Sequence, residues 1–326
     1  MTTGHPTRRQ NVHAARSSKG RILDLLRQAE GPVSGQWLSH RLGVTRVAVW
    51  KQIRALQDAG YEIAAGPKGY RLTHSPDAIF PWEFPGREAR VHYHAETDST
   101  MSLARDLARG GCPAHSVIVT DRQTKGRGRL DRQWLSPPGG LYFTMVLRPE
   151  VPPMAALKLN FAASLEMVRC LNRRYDVPAR VKWPNDILVG HRKICGMLAE
   201  MEAETDRVTF INIGMGINVN NPPDSRAPQA VSLGELVGRP VRRSHLLSEF
   251  LDAFETRCSG DLTSVINEWK HLSATIGSRV RVQTAKGTTS GQAEDIDDDG
   301  ALMVRDDDGT LNRVLYGDCF HINGNQ

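Results

Sequence analysis

The sequence predicts a multidomain α+β protein with an N-terminal winged helix-turn-helix, a central mixed α/β domain and a C-terminal SH3-like β-barrel. Three observations carry that expectation. Helical periodicity fills the first segment, strands alternate with amphipathic helices through the middle, and short strands broken by Gly or Asp turns close the chain. At 326 residues the chain exceeds one ordinary domain. The divisions expected are a flexible basic tail over 1–19, the winged helix over 20–75, the central domain over 86–275 and the β-module over 276–326.

In the first segment, Ile22, Leu23 and Leu26 share one helical face, and Gly31-Pro32 stops that helix. A second helix over 36–42 would turn Trp37, Leu38 and Leu42 inward, and Gly43 makes the turn. Thr45 then caps a third helix running to about Ala59, with Val49, Ile53 and Leu56 toward the core. Arg46, Trp50, Lys51 and Arg54 are left outside. Tyr61-Glu62-Ile63 and Tyr70-Arg71-Leu72 flank Gly66-Pro67-Lys68-Gly69, a hairpin with Lys68 at its tip. Thr45, Arg46, Trp50, Lys51, Arg54 and Lys68 are therefore the candidate DNA-binding set. A solvated three-helix packing module is the plainer alternative.

After the Pro-containing stretch 75–85, strands are expected over 91–96, 116–121, 141–147, 179–189, 193–201 and 208–220, with helices over 100–109 and 156–175. The densest feature is Lys125-Gly126-Arg127-Gly128-Arg129-Leu130-Asp131-Arg132-Gln133-Trp134. Glycines admit close backbone approach, and free N–H groups beside guanidinium forks make an anion cradle. It matches neither a P-loop nor a dinucleotide-binding turn, and a solvated Gly/Arg loop remains the alternative. Lys182-Trp183-Pro184-Asn185-Asp186 sits between two strand-like halves. There Lys182 could neutralise charge on an attacked phosphate, and Asn185 and Asp186 could hold ribose, Mg²⁺ or water; an ordinary Pro-Asn-Asp turn is the alternative. Lys193 to Gly196 and the glycine-broken strand Gly214-Met215-Gly216-Ile217-Asn218 could approach a ligand or mark bulges.

Composition narrows the class. Hydrophobic residues make up 40% and charged residues 24%, ordinary for a globular protein, and no apolar run reaches membrane-spanning length. Met1–Gly20 lacks the apolar centre of a secretory signal, which predicts a cytoplasmic location. Cys112, Cys170, Cys195, Cys258 and Cys319 are scattered and form no CxxC pair, so neither a disulfide framework nor a zinc or other metal site is expected. His92, His94 and His115 read as surface or packing residues. The net charge of +6 admits polyanionic partners, while the runs 297–299 and 306–308 read as solvated acidic turns.

Asp98-Ser99-Thr100, GRGRLDRQW, KWPND, RKICG and GMGIN, in that order and spacing, resemble the biotin protein ligases. With the winged helix in front, the resemblance is to the bifunctional class that also represses the biotin synthesis operon, and it covers about Gly20 to Phe320. It implies a class II synthetase-like central fold, ATP, biotin and Mg²⁺, and formation of a biotinoyl-adenylate. It further implies transfer to a lysine of the biotin carboxyl carrier protein of acetyl-CoA carboxylase, binding to operator DNA and, when adenylate-bound, a homodimer.

By position, the resemblance implies that Ser99, Thr100, Met101, Gln123, Arg127, Gly128, Arg129 and Lys193 line the biotin pocket. Gly126, Arg129, Arg132, Trp134, Lys182, Asn185, Asp186 and Asn218 would seat the nucleotide, and Lys182, Arg127 and Arg129 would be catalytic. Met101 departs from the family, which commonly carries Asn there, so a polar contact is expected to be missing. A lipoate ligase on a related fold and a non-catalytic ligand-sensing transcription factor are the competing readings.

Overall fold

A computed structural model describes residues 16–129, 132–222 and 229–322. Most of the expected basic tail, 1–15, lies outside the described residues, as do Leu130 and Asp131 of the Gly/Arg loop and the last four residues of the β-module. The chain divides into two compact units with the boundary between Val91 and His92.

The first unit contains α1 (Ser18–Gln28), α2 (Gly35–Leu42), α3 (Arg46–Asp58), β1 (Glu62–Gly66) and β2 (Gly69–His74). Each helix begins on a hydroxyl cap: Ser17 accepts from the Gly20 N–H, Ser34 from Trp37 and Thr45 from Ala48, each at 3.1 Å. Gly43, at φ 68°, ends α2 in the left-handed conformation that glycine adopts without strain. Ile22, Leu23, Leu38, Val49, Ile53 and Leu56 form the buried core. Trp37, expected inward, is 49% exposed. Leu38 and Leu42 alone fill the short helix's inner face, and position 37 falls on the opposite side. The stretch 75–85 belongs to this unit's core: Phe80 stacks on Trp82 with centroids 4.6 Å apart, and both pack against the cluster. Buried Glu83 accepts from the Tyr61 hydroxyl and, at 2.8 Å, from Arg27.

The second unit opens with β3 (Val91–Thr97), α4 (Thr100–Arg109), β4 (Ser116–Gln123) and β5 (Leu141–Leu147). It continues with α5 (Pro153–Ala156), α6 (Lys158–Tyr175), β6 (Ala179–Lys182), β7 (Asp186–Val189), β8 (Arg192–Ala203) and β9 (Val208–Ile217). Among the described residues these strands form one sheet in the order β3-β4-β5-β9-β8-β7-β6. The 179–189 stretch is two strands, β6 and β7, paired antiparallel around a cis Trp183–Pro184 peptide. The helix expected from Ala156 starts at Lys158, after the separate turn α5. α6 is buried on every side over 161–168, and α7 (Leu233–Val237), α8 (Arg243–Cys258) and α9 (Val265–His271) follow β9.

The β-module contains β10 (Arg279–Thr284), β11 (Gly287–Ile296), β12 (Leu302–Arg305), β13 (Leu311–Val314) and β14 (Asp318–His321), in the order β13-β12-β11-β10-β14. Short strands broken by Gly or Asp turns were expected here. β14 spans four residues, too few for alternation to declare itself, and exists because it pairs with β10. The acidic runs are not merely solvated: Arg313 meets Asp297 at 2.5 Å and Asp299 at 2.7 Å, and Arg279 meets Asp307 at 2.7 Å. Opposed strand ends bring these charges together, although such exposed pairs contribute about 1 kcal/mol or less each. Trp183 ties the module to the sheet, since its indole N–H donates to the Gly300 carbonyl at 3.0 Å and its backbone N–H to Thr275 Oγ1 at 3.0 Å.

Candidate active site

The N-terminus of α4, the 123–134 loop, the β6–β7 turn, the faces of β8 and β9, and β14 enclose one cavity. Its floor is made by glycines. Gly196 on β8 and Gly216 on β9 are direct cross-strand partners, and the Trp134 indole lies flat across both. A Cβ at Gly216 would stand 2.3 Å from Trp134 Nε1, and one at Gly196 2.7 Å from Cζ3. Gly196 of RKICG and Gly216 of GMGIN thus answer to one aromatic ring. At Gly214 a Cβ would meet the Met101 sulfur at 2.7 Å, so Met101 packs as floor and is buried.

Ser99 occupies the N-cap position of α4 without making the capping bond. Gln123 does so instead: its Oε1 accepts from the Thr100 N–H at 2.9 Å and the Thr100 hydroxyl at 3.1 Å, while its Nε2 donates to Ser136 Oγ at 2.8 Å. Thr144 donates in turn to the Thr100 hydroxyl at 2.9 Å. This bracing leaves Ser99 Oγ and Trp134 Nε1 as buried polar atoms without a partner among the described residues. Such atoms cost about 1–3 kcal/mol each unless something bonds them, and a polar ligand is the natural occupant.

The cations ring this floor. Arg127 pairs with Glu200 at 2.7 Å, Arg132 with Asp318, and Lys193 with Asp186 at 2.7 Å while its Nζ lies 5.1 Å from the Trp134 ring centroid. Arg129 donates to the Gly317 carbonyl at 3.1 Å and to Asn185 Oδ1 at 3.4 Å. Burial pulls the Arg129 pKa down, opposed by the Asp318 and Asp186 carboxylates. Lys182 faces the cavity and has no carboxylate partner among the described residues. Cys319 also lines it, but burial pushes its thiol up to about 12, which removes it as a nucleophile at neutral pH.

Ser99, Thr100, Met101, Gln123, Arg127, Gly128, Arg129, Arg132, Trp134, Lys182, Asn185, Asp186 and Lys193 all come together here. Asn218 does not; it lines an adjoining cavity on the far side of Trp134, with His191, Arg281 and His321, and accepts from Asn221 at 3.0 Å. Gly126 is buried behind the loop, its carbonyl accepting from the Trp134 N–H at 2.9 Å, and so places that indole. Gly317, Asp318 and Phe320 were missed in the sequence. No local signal marks them, because their role depends on β14 reaching the site from the end of the chain.

In the first unit, Arg46, Trp50, Lys51 and Arg54 are exposed on α3, and Lys68 is exposed at the β1–β2 turn. The Thr45 hydroxyl is used as a helix cap.

A cavity with fixed cations, a flat aromatic divider and unclaimed polar atoms defines a protein that brings an acid and a nucleotide together by positioning them. The family is the biotin protein ligases, to which this chain belongs, and its domain set is that of the bifunctional ligase/repressors. The biotin/lipoate A/B protein ligase family matches residues 93–218, an HTH domain 19–71, and the biotin protein ligase C-terminal domain 275–322. The bifunctional ligase/repressor BirA of Bacillus subtilis is 35% identical over 305 residues, covering 88% of this chain and 94% of that protein. The Escherichia coli protein of the same name is 30% identical over 284 residues, covering 84% and 88%. The Aquifex aeolicus biotin protein ligase in complex with biotin and ATP superimposes with a TM-score of 0.60 at 27% identity, covering 71% of this chain and 97% of that one.

Proposed function

We propose that this chain condenses biotin with ATP to biotinoyl-5′-AMP and passes the biotinoyl group to a lysine of a biotin carboxyl carrier protein. The observation that carries the proposal is the Ser99 hydroxyl, released from capping by Gln123 and buried beside the cation ring. Ser99, Thr100, Met101 and Gln123 hold the ring end of biotin, and Lys193 with the Arg127–Arg129 loop holds its carboxylate. ATP lies against Trp134, with Asn218 in the adjoining cavity. A biotin carboxylate oxygen attacks the α-phosphorus, and the bond to the β-phosphate oxygen breaks to release pyrophosphate. Lys182, with Arg129 and Arg132, neutralises the charge that develops. A neutral carrier lysine then attacks the acyl carbon, AMP leaves, and the surplus amine proton passes to water. The protein supplies no nucleophile; it aligns two anions and keeps water from the mixed anhydride.

Asp186 would hold Mg²⁺, since its Oδ1 pairs with Lys193 at 2.7 Å and its second oxygen has no partner among the described residues. When bound it supplies charge neutralisation on the polyphosphate.

We assign operator binding to α3 and the β1–β2 hairpin, with Arg46, Trp50, Lys51, Arg54 and Lys68 facing DNA as an adenylate-dependent homodimer in the cytoplasm. The deciding experiment incubates pure protein with ATP and either biotin or lipoate and traps the acyl-adenylate with hydroxylamine. Biotin hydroxamate is expected. Lipoyl hydroxamate alone makes the protein a lipoate ligase, and neither product makes it a sensor without catalysis.

A further inference from the structure

Arg129 and Arg132 stand on the loop between β4 and β5, yet both are met by the turn that enters β14. Arg129 Nη1 donates to the Gly317 carbonyl at 3.1 Å, and Arg132 Nη2 pairs with the Asp318 carboxylate. Asp318 is 13% exposed and Arg132 59%, so the carboxylate is the fixed member and the guanidinium the adjustable one. The turn is itself held down. Gly317 sits at φ 150°, a Cβ there would stand 2.7 Å from Val282 Cγ1 and 2.8 Å from the Gln283 carbonyl, and Cys319 is the cross-strand partner of Val282 on β10.

Asp318 lies in the cavity lining. A bare carboxylate there would repel both an acid and a polyphosphate. Paired to Arg132 it does not, and the guanidinium keeps further N–H groups for a phosphate. Resting on the ligase reading above, we infer that Asp318 is a positioning residue of the reaction. From the β-module it aims Arg132 at the adenylate phosphate, as the Gly317 carbonyl aims Arg129, and so governs how long the intermediate is retained.

The test uses the full chain. Wild type, Asp318→Asn, Asp318→Glu, Arg132→Ala and the Arg132→Ala/Asp318→Asn double variant are charged with biotin and MgATP and freed of excess, and adenylate release is timed. Asp318→Asn is expected to release about tenfold faster, the loss of one charge-assisted contact from the bound state. The KM for biotin stays at the wild-type value, because Ser99, Thr100 and Gln123 are untouched. Asp318→Glu recovers most of the retention. Adding Asp318→Asn to Arg132→Ala changes release by less than about twofold, since the two act as one unit. Wild-type release from Asp318→Asn and Asp318→Glu alike, or additive effects in the double variant, overturns the inference. If the wild type makes no adenylate, the ligase reading fails. If it makes and holds adenylate and the Asp318 variants hold it equally well, this inference fails alone.

Discussion

Replacing Gly216 by alanine sets stability against binding, because the two depend on different properties of that position. Gly216 lies within β9, where its pairing with Gly196 is regular antiparallel strand, so alanine is conformationally admissible. Loss of glycine's unfolded-state freedom favours the folded state by about 0.4–1 kcal/mol. The new methyl carbon would stand 2.3 Å from Trp134 Nε1 and 2.6 Å from Cε2, far inside contact distance, so the indole must leave its seat. The strand cannot yield in its place, being hydrogen-bonded on both sides by β5 and β8. With the indole go the aromatic wall between the two cavities and the surface over which Lys193 lies. An aromatic platform under a base contributes about 1–3 kcal/mol, so ATP affinity should fall roughly 10- to 100-fold. Urea denaturation should find stability level or slightly raised, while calorimetry finds weak ATP binding and Trp134 emission shifts to the red. Wild-type ATP affinity with unchanged emission would refute the reasoning, since the indole would then lie elsewhere. Loss of stability in step with binding would refute it too, making the indole a core residue.

Three further outcomes are expected. Lys182→Met should lower the adenylation rate about 10²- to 10³-fold with little change in biotin affinity, read by single-turnover pyrophosphate release, because the cation acts on charge that appears only during reaction. Glu83→Ala strands Arg27 and the Tyr61 hydroxyl and should destabilise the winged-helix unit by about 3 kcal/mol, followed through Trp82 fluorescence in urea. Burial, with neighbouring Lys182, lowers His321 from 6.5 to about 4, so the unfolded chain binds the extra proton first as pH falls. Its stabilising contribution is full above about pH 6.5 and disappears as pH drops toward 4; His321→Gln should flatten the melting temperature across that window.

The N-terminal helices were legible because caps and helical periodicity are local: Thr45 and Gly43 determine their ends whatever lies elsewhere. The cation loop was legible by composition. Its meaning was not, since Trp134 follows the loop while the glycines it needs lie on β8 and β9, some 60 and 80 positions later. Neither could Gln123 be seen to take over capping from Ser99, a substitution made possible only by β4 ending beside α4. Trp37 was misplaced for a related reason: an eight-residue helix has little inner face, and hydrophobicity alone does not say which apolar residue loses the competition for it.

Arg127, Arg132 and Lys193 already rest on carboxylates from Glu200, Asp318 and Asp186. An incoming polyphosphate therefore meets a site close to electrical balance, and it binds through the donor groups these paired cations still offer instead of discharging bare cations. Most of the attraction available to any anion has been cancelled beforehand. Only a ligand that reaches several of these groups at once gathers enough contacts to bind, so inorganic phosphate and other simple salts should compete poorly in spite of the local density of arginine.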